Sequence, residues 1–328
     1  MRILDHAQVT RLLPMSECIR LMEAALAALS RGEAQVPLRA VMRLPGRHDV
    51  LALMPGQSSS PNALGAKVIT VYPANQRRDL DAHQGAVLLF DPDDGRLLGL
   101  VDASSITAIR TAAASAAATR WLARTDAATL ALLGSGVQAR SHLEAITLVR
   151  PIRQVRVWSR TTNHARDFAQ WARQAHGLEI DTCTTVAEAV RGADIVCTVT
   201  ASREPVLEGA WLEPGMHLNA VGASQPDARE LDSDAVARSH VFADRRESLM
   251  HESADYLVPL HEGRLGADPD IAELGEVVAG TAAGRTSEQE ITLFKSLGLA
   301  IEDLAAARYV LERAEREDAG TSVDMIAT

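Results

Sequence analysis

The sequence predicts an α/β protein in which a Rossmann-like, doubly wound parallel sheet is joined to a second, α+β domain. Three observations lead there. The chain has 328 residues, more than one hydrophobic core usually serves. From Ala127 onward, short apolar runs alternate with amphipathic helical stretches, the pattern of parallel strands joined by crossover helices. Ahead of that point the texture differs: one helix is followed by brief β-like runs broken by Pro and Gly.

In chain order, Pro14 and Ser16 open a helix whose apolar face is Ile19, Met22, Leu26 and Leu29, with Gly32 as its stop. Residues 36–44, 50–54 and 66–72 read as strands. Residues 86–90 and 97–101 flank Asp91-Pro92-Asp93-Asp94-Gly95, a hairpin turn, so this part is expected to be a mostly antiparallel sheet with a helix packed on it. Residues 104–124 form an unbroken Ala-rich helix, whose small side chains admit close neighbours and which is expected to link the two domains. Strands follow at 129–133, 155–158, 179–183, 195–200, 217–221, 240–243 and 290–295, with helices at 137–148 and 163–175. Residues 299–317 make a long last helix, and 318–328 read as a loose tail. The expected domains are 1–116 with 299–328, and 117–298.

Composition narrows the function classes. Hydrophobic residues make up 47% and charged ones 23%, ordinary for a globular chain, while 3% aromatic leaves the core to Ala, Leu and Val. A formal charge of -10 opposes a nucleic-acid or anionic-membrane surface. Cys18, Cys183 and Cys197 lack metal-ligand or redox spacing and read as buried reduced thiols; the ten His are scattered, so no metal site is expected. The N-terminal residues lack the apolar core of a signal peptide, and no uncharged run is long enough to span a bilayer. The expected location is the cytoplasm, with neither nucleic acid nor membrane as partner.

The sharpest motif is Gly134-Ser135-Gly136-Val137-Gln138-Ala139, lying between an apolar strand and a helix. Alone, such a run also suits an ordinary Gly-rich loop; in this setting it predicts a dinucleotide site. Gly134 permits the tight turn, Gly136 lets the backbone approach a pyrophosphate, and Ala139 lets the helix pack close to the strand. The helix N-terminus then offers N–H groups and partial positive charge to phosphate. About 20 residues after such a turn, NAD sites usually carry Asp or Glu for the ribose hydroxyls. Here Ser159, Arg160 and Thr161 stand at the end of the second strand. Arg160 is either a solvated surface residue or a partner for a 2′-phosphate, and the missing carboxylate favours NADP(H) over NAD(H).

Three cations in the first domain are also notable. Lys67 sits among small and apolar residues, where its charged form is disfavoured, and Arg110 lies in the Ala-rich helix; Arg39 is in a strand-like run. On pattern alone the simpler reading is three solvated or structural cations.

The runs VLALMPG (50–56), AKVITVY (66–72), IRTAAAS (109–115), LGSGVQA (133–139), NAVGAS (219–224) and LFKSLGLA (293–300) occur in order. Together they closely resemble the ornithine cyclodeaminase/μ-crystallin family, which includes alanine dehydrogenases and ketimine reductases, and the resemblance spans nearly the whole chain. It implies a homodimer in which the first domain and last helix form a substrate-binding and dimerisation domain, with the substrate between it and the Rossmann-like domain. The resemblance puts the family's substrate-carboxylate residues at Arg39, Lys67 and Arg110, with Lys67 also a proton donor or relay. His83 matches a position near the nicotinamide and either shares the proton role or is a structural His. Thr111, Thr200, Val221, Gly222 and Ser296 match cofactor-contacting positions.

Two departures bear on the substrate. Ornithine cyclodeaminases carry a carboxylate after the NAVG run and a Glu before the LMP run; this chain has Ser224 and Ala52 there, so a buried distal ammonium would lack a partner. The expected activity is therefore NAD(P)H-dependent reduction of a small cyclic imino acid, Δ1-pyrroline-2-carboxylate or Δ1-piperideine-2-carboxylate. Amino-acid dehydrogenation, ornithine cyclodeamination and non-catalytic ligand binding are the alternatives.

Overall fold

The computed structural model describes residues 1–47, 49–72, 74–75, 80–266 and 271–324. By contact the chain divides into two compact units, 1–110 with 299–328, and 111–298. The change falls after Arg110, inside the Ala-rich helix, a few residues earlier than the 116/117 expectation.

In the first unit the strands are β1 (Arg2–Leu4), β2 (Ala34–Gln35), β3 (Ala40–Arg43), β4 (Val50–Ser59), β5 (Asn62–Val71), β6 (His83–Phe90) and β7 (Leu97–Asp102). Helices α1 (His6–Leu12) and α2 (Met15–Ser30) lie early in this chain segment. The unit's closing segment supplies α11 (Ala300–Arg316) and β16 (Thr321–Ser322). The sheet order is β16-β1-β7-β6-β5-β4-β2, with β3 also on β4, and all pairs but β1–β7 are antiparallel.

Three expectations are corrected here. Residues 36–44 do not form one strand: only 40–43 pair, because Pro37 lacks a ladder N–H. The strand starting at Val50 does not stop at Met54 but continues to Ser59, through Pro55 and Gly56. The tail is not loose at its start, since Thr321 and Ser322 pair with Ile3 and Arg2; residues 325–328 lie outside the described set. Helix α1 and strand β1 went unread. The capping box of Asp5 with Gln8 was visible in sequence, whereas a three-residue strand carries no periodicity.

Gly56 and Gly65 face each other across β4 and β5. A Cβ on Gly56 would sit 3.1 Å from Leu304 and 3.2 Å from Ala300; one on Gly65 would sit 2.8 Å from Leu304 and 2.0 Å from the Leu88 carbonyl oxygen. The glycines form a notch that lets α11 press onto the sheet. The same helix packs against α2, and Ile19, Met22 and Leu26 are buried as the helical spacing requires.

Helix α3 (Ala103–Leu122) runs from the first unit into the second. Ala112, Ala113, Ala114, Ala116, Ala117 and Ala118 are all fully buried, so only small side chains fit around it. Its C-terminal carbonyls are capped by Arg150, which donates to Arg120 O and Ala123 O at 2.9 Å and to Arg124 O at 2.8 Å.

The second unit holds β8 (Thr129–Leu133), β9 (Gln154–Trp158), β10 (Ile180–Cys183), β11 (Ile195–Thr198), β12 (His217–Ala220), β13 (His240–Ala243), β14 (Ala272–Glu273) and β15 (Thr292–Lys295). Its sheet order is β10-β9-β8-β11-β12-β15-β13-β14, with all pairs parallel. Helices α4 (Val137–Thr147), α5 (Thr162–His176), α6 (Val186–Val190), α7 (Ser233–Ala237), α8 (Arg246–Glu252), α9 (Ala254–His261) and α10 (Leu274–Val278) connect the strands. From β8 the chain winds one way through β9 and β10, then returns to the other side of β8 as β11 and β12. The switch point is thus between β8 and β11, where such sheets bind ligands at their carboxyl ends. The α/β class expected from sequence is observed, with its α+β companion.

Candidate active site

Lys67 lies on the helix-covered face of β5, 1% exposed. Its Nζ is 2.9 Å from Asp303 Oδ1, 2.8 Å from Oδ2 and 3.2 Å from Thr107 Oγ1. Arg110, on α3, donates through Nε to Asp303 Oδ1 at 3.0 Å and through a terminal nitrogen to Glu302 Oε2 at 2.6 Å. Both carboxylates are fully buried in the first turn of α11, where the helix dipole favours negative charge. Asp303 therefore holds both cations, and the glycine notch is what brings it there.

The electrostatics follow. Burial pushes the Lys67 pKa down to about 8; Asp303 opposes this, and Arg110 and Arg39 add to it. Burial also works against charge on Arg110, but Asp303 and Glu302 outweigh it and its pKa is pushed up. Arg39 is half-buried just before β3 and close enough for its charge to act on Lys67. Asp303 and Glu302 thus face Lys67 and Arg110, and Arg39 adds a positive charge within electrostatic reach.

His83 opens β6 on the same sheet face as Lys67, since Lys67 pairs with Val87 and side chains alternate. It is reachable by solvent yet crowded by protein. That crowding, then the charges of Lys67 and Arg110, pushes its pKa down to about 4 and keeps it neutral near pH 7. Ala52 lies on this face too, 5% exposed and paired with Ile69 and Val41. The position is apolar.

In the second unit, the turn after β8 has the expected form. Gly134 has φ +121° and donates to Trp158 O at 2.9 Å; a Cβ there would sit 2.6 Å from Val199 O. Around Gly136 a Cβ would meet nothing within 4 Å, so the backbone is open to a close ligand. Gly136 is the N-cap of α4 and offers no side-chain cap. Val137 is exposed and Ala139 fully buried against the sheet. Ser135 Oγ donates to Ser159 Oγ at 3.1 Å, tying the turn to the end of β9. Arg160 and Thr161 are exposed just beyond, and Arg160 has no side-chain ion pair among the described residues. Helix α4 is fixed from behind by a buried His142, whose Nδ1 donates to Gln138 O at 2.8 Å while Nε2 accepts from Ser115 Oγ at 2.9 Å.

Thr200, Val221, Gly222 and Ser296 follow β11, β12 and β15, at the same sheet edge as the glycine turn. Ser296 is 2% exposed, and its Oγ has no hydrogen-bond partner among the described residues. An orphaned buried hydroxyl, an open Gly136 and an uncapped helix fit a dinucleotide. Ser224 is half-buried on the loop after β12, and Thr111, 7% exposed, begins the second unit next to Arg110.

The structure thus joins Lys67 and Arg110 through the shared carboxylate of Asp303 and sets Arg39 and His83 within electrostatic reach. Sequence reasoning missed Glu302 and Asp303. A signal was present: they are two acids in an Ala- and Leu-rich helix, the same anomaly that marked Arg110. Glu230, Asp255 and Lys295, buried behind the cofactor positions, were also missed; Lys295, a charge inside the apolar run 291–300, carried the same signal, whereas Glu230 lies among charges that read as surface.

These geometries can be set beside known proteins. The rat ketimine reductase mu-crystallin is 42% identical over 311 residues, 94% of each chain. The solved Δ1-pyrroline-2-carboxylate reductase of Thermococcus litoralis, in complex with NADH and L-proline, superposes with TM-score 0.96 at 39% identity, covering 98% of this chain and 100% of that one. An archaeal alanine dehydrogenase dimer with bound NAD superposes with TM-score 0.93 at 31% identity, covering 99% of each chain. A sequence model of the ornithine cyclodeaminase/mu-crystallin family matches residues 1–318, and the chain belongs to that family.

Proposed function

We propose that this chain is an NAD(P)H-dependent reductase of small cyclic imino acids, Δ1-pyrroline-2-carboxylate or Δ1-piperideine-2-carboxylate, forming proline or pipecolate. The observation that carries the reading is the buried Lys67–Asp303–Arg110 set with the Arg39 charge acting on it. A substrate carboxylate suits this gathering of cations, and an Arg can hold it through two parallel bonds that fix the neighbouring carbon. Bound NAD(P)H supplies the hydride that adds to the imine carbon. Lys67 holds the proton needed at the imine nitrogen, and a pKa near 8 leaves its ammonium able to release it near neutrality. His83, neutral near pH 7, is placed to position substrate or water rather than to add a further positive charge. Apolar Ala52 on the Lys67 face suits an uncharged ring and gives no partner to a second ammonium.

The direct test is consumption of NAD(P)H by pure protein with Δ1-pyrroline-2-carboxylate; no consumption at any moderate pH overturns the reading. Because the Lys67 ammonium exists below about pH 8 and is lost above it, kcat/KM for reduction should fall as pH rises through that value. Proline oxidation should show the opposite slope. Lys67→Ala should lower kcat/KM by at least about a hundredfold and abolish the pH dependence, the scale of a lost general acid; retained turnover contradicts its role.

The cofactor is proposed to be NADP(H) in preference to NAD(H). Arg160 at the end of β9, with no acid in the following positions 161–164, supports this. Arg160→Ala should weaken NADPH by about tenfold, the value of a charged phosphate contact, and leave NADH unchanged. Equal changes in both dinucleotides would show that Arg160 does not read the 2′-phosphate.

The chain is further proposed to form a homodimer through the uncovered face of the first sheet. Leu53 (43% exposed), Val68 and Ala86 form one cross-strand row; Pro55, Ala66, Leu88 and Leu100 form the next. With Met42 of β3, which pairs with Leu51 and is 56% exposed, they make an apolar face of the kind that marks an association surface. Light scattering should give twice the chain's 35.2 kDa mass, and Leu53→Lys with Val68→Lys should halve it. A wild-type mass of one chain rejects the dimer.

A further inference from the structure

The loop after β12 is fastened by a ring of buried polar groups that the catalytic reading does not use. Glu230 is fully buried, and its two oxygens receive four donors. Oε2 accepts from Thr198 Oγ1 at 2.8 Å and from Gly222 N at 2.7 Å. Oε1 accepts from Thr200 N at 2.6 Å and Thr200 Oγ1 at 2.7 Å. Burial pushes its pKa up, the Lys295 ammonium and the Thr200 donors oppose this, and a backbone N–H on each oxygen favours the carboxylate form. Behind it, Asp255 Oδ1 accepts from Glu230 N at 2.8 Å and Leu231 N at 2.9 Å. Asp255 Oδ2 pairs with Lys295 Nζ at 2.7 Å, and Lys295 donates to Ala223 O at 2.6 Å. The ring closes from Gly222 through Ala223, Lys295 and Asp255 to Glu230. Its tightness explains Gly222, where a Cβ would sit 2.2 Å from Thr200 O and 2.6 Å from Glu230 Oε1.

Two features give this ring a role beyond folding. It sets Thr200 and Gly222 at the carboxyl ends of β11 and β12. The turn after β8 is placed for the pyrophosphate and the end of β9 for the adenosine half, so β11 and β12, on the other side of β8, face the nicotinamide half. The ring also carries two carboxylates against one ammonium, a buried excess of one negative charge. Asp255 pairs directly with Lys295; Glu230 is met by four donors and feels the Lys295 charge without touching it.

We propose that Glu230 is a positioning residue of the dinucleotide site whose uncompensated charge favours the oxidised, cationic nicotinamide over the reduced, neutral one. The inference rests on the reading of this chain as a nicotinamide-dependent reductase. A carboxylate fixed behind these strand ends opposes no charge in the reduced state and stabilises the positive charge that develops as hydride leaves. It therefore biases the site toward giving hydride, the direction of imine reduction.

The test is equilibrium binding of oxidised and reduced dinucleotide, and of ADP as a probe of the adenosine half, to wild type and Glu230→Gln. The variant keeps the shape but removes the charge and replaces one acceptor oxygen by a donor. Affinity for the oxidised form should fall by about tenfold, equivalent to about 1.4 kcal/mol. The reduced form should lose distinctly less, and ADP should bind as before. Unchanged affinity for both forms overturns the proposal. An equal loss for oxidised, reduced and ADP probes also overturns it, since that is the mark of a purely structural residue. Equal loss of the two dinucleotides with ADP unchanged overturns the charge assignment. If Glu230→Gln does not fold, Thr198→Val removes one of the four bonds and keeps the charge. It should weaken both dinucleotide forms with their ratio preserved, and unchanged binding there overturns the positioning role. Wild-type protein binding neither dinucleotide overturns the dinucleotide reading itself, and this assignment with it.

Discussion

Asp303 is the group on which the first unit's chemistry depends. It meets the Lys67 ammonium and the Arg110 guanidinium at 2.8–3.0 Å in a fully buried setting. Moving such charges out of water costs several kcal/mol each, so each cation needs a fixed partner there. The geometry of the fold supplies that partner indirectly. Gly56 and Gly65 open the sheet to α11, the start of α11 favours acids, and the acids then hold the two cations from opposite segments of the chain. Larger side chains at the glycines would displace the helix and, with it, the charges.

The two units use the same physical device. In each, a buried carboxylate organises groups from several segments: Asp303 and Glu302 on α11 hold side chains, while Glu230 behind β11 and β12 holds backbone. The charge character differs: three cations gather around Asp303 and Glu302 in one unit, while the Glu230 ring in the other holds two carboxyl groups and one ammonium.

Much of this was legible in the sequence because it depends on local pattern. The strand at Thr129–Leu133, its glycine turn and the following helix come from a short contiguous run whose every residue has a backbone reason. Lys67 and Arg110 stood out as charges among small apolar residues. What stayed hidden depends on pairing across distance. Asp303 is 236 residues from Lys67, and its role exists only once α11 reaches the notch. The strand at Thr321–Ser322 is too short to show a period and is defined by its partner β1. The run through Pro55 and Gly56 looked like a break, because those residues usually end strands; here Gly56 marks where a helix must approach.

The central claim is that the cluster of Lys67, Arg110 and Arg39 binds a substrate carboxylate. It is tested most directly by calorimetric titration of the protein, saturated with oxidised dinucleotide, with pyrrole-2-carboxylate and with its neutral carboxamide. The two ligands share ring and shape and differ in charge. Binding of the carboxylate at least about a hundredfold tighter than the carboxamide, some 2.7 kcal/mol, is the predicted result for a desolvated charge-assisted contact. Equal affinities would contradict it.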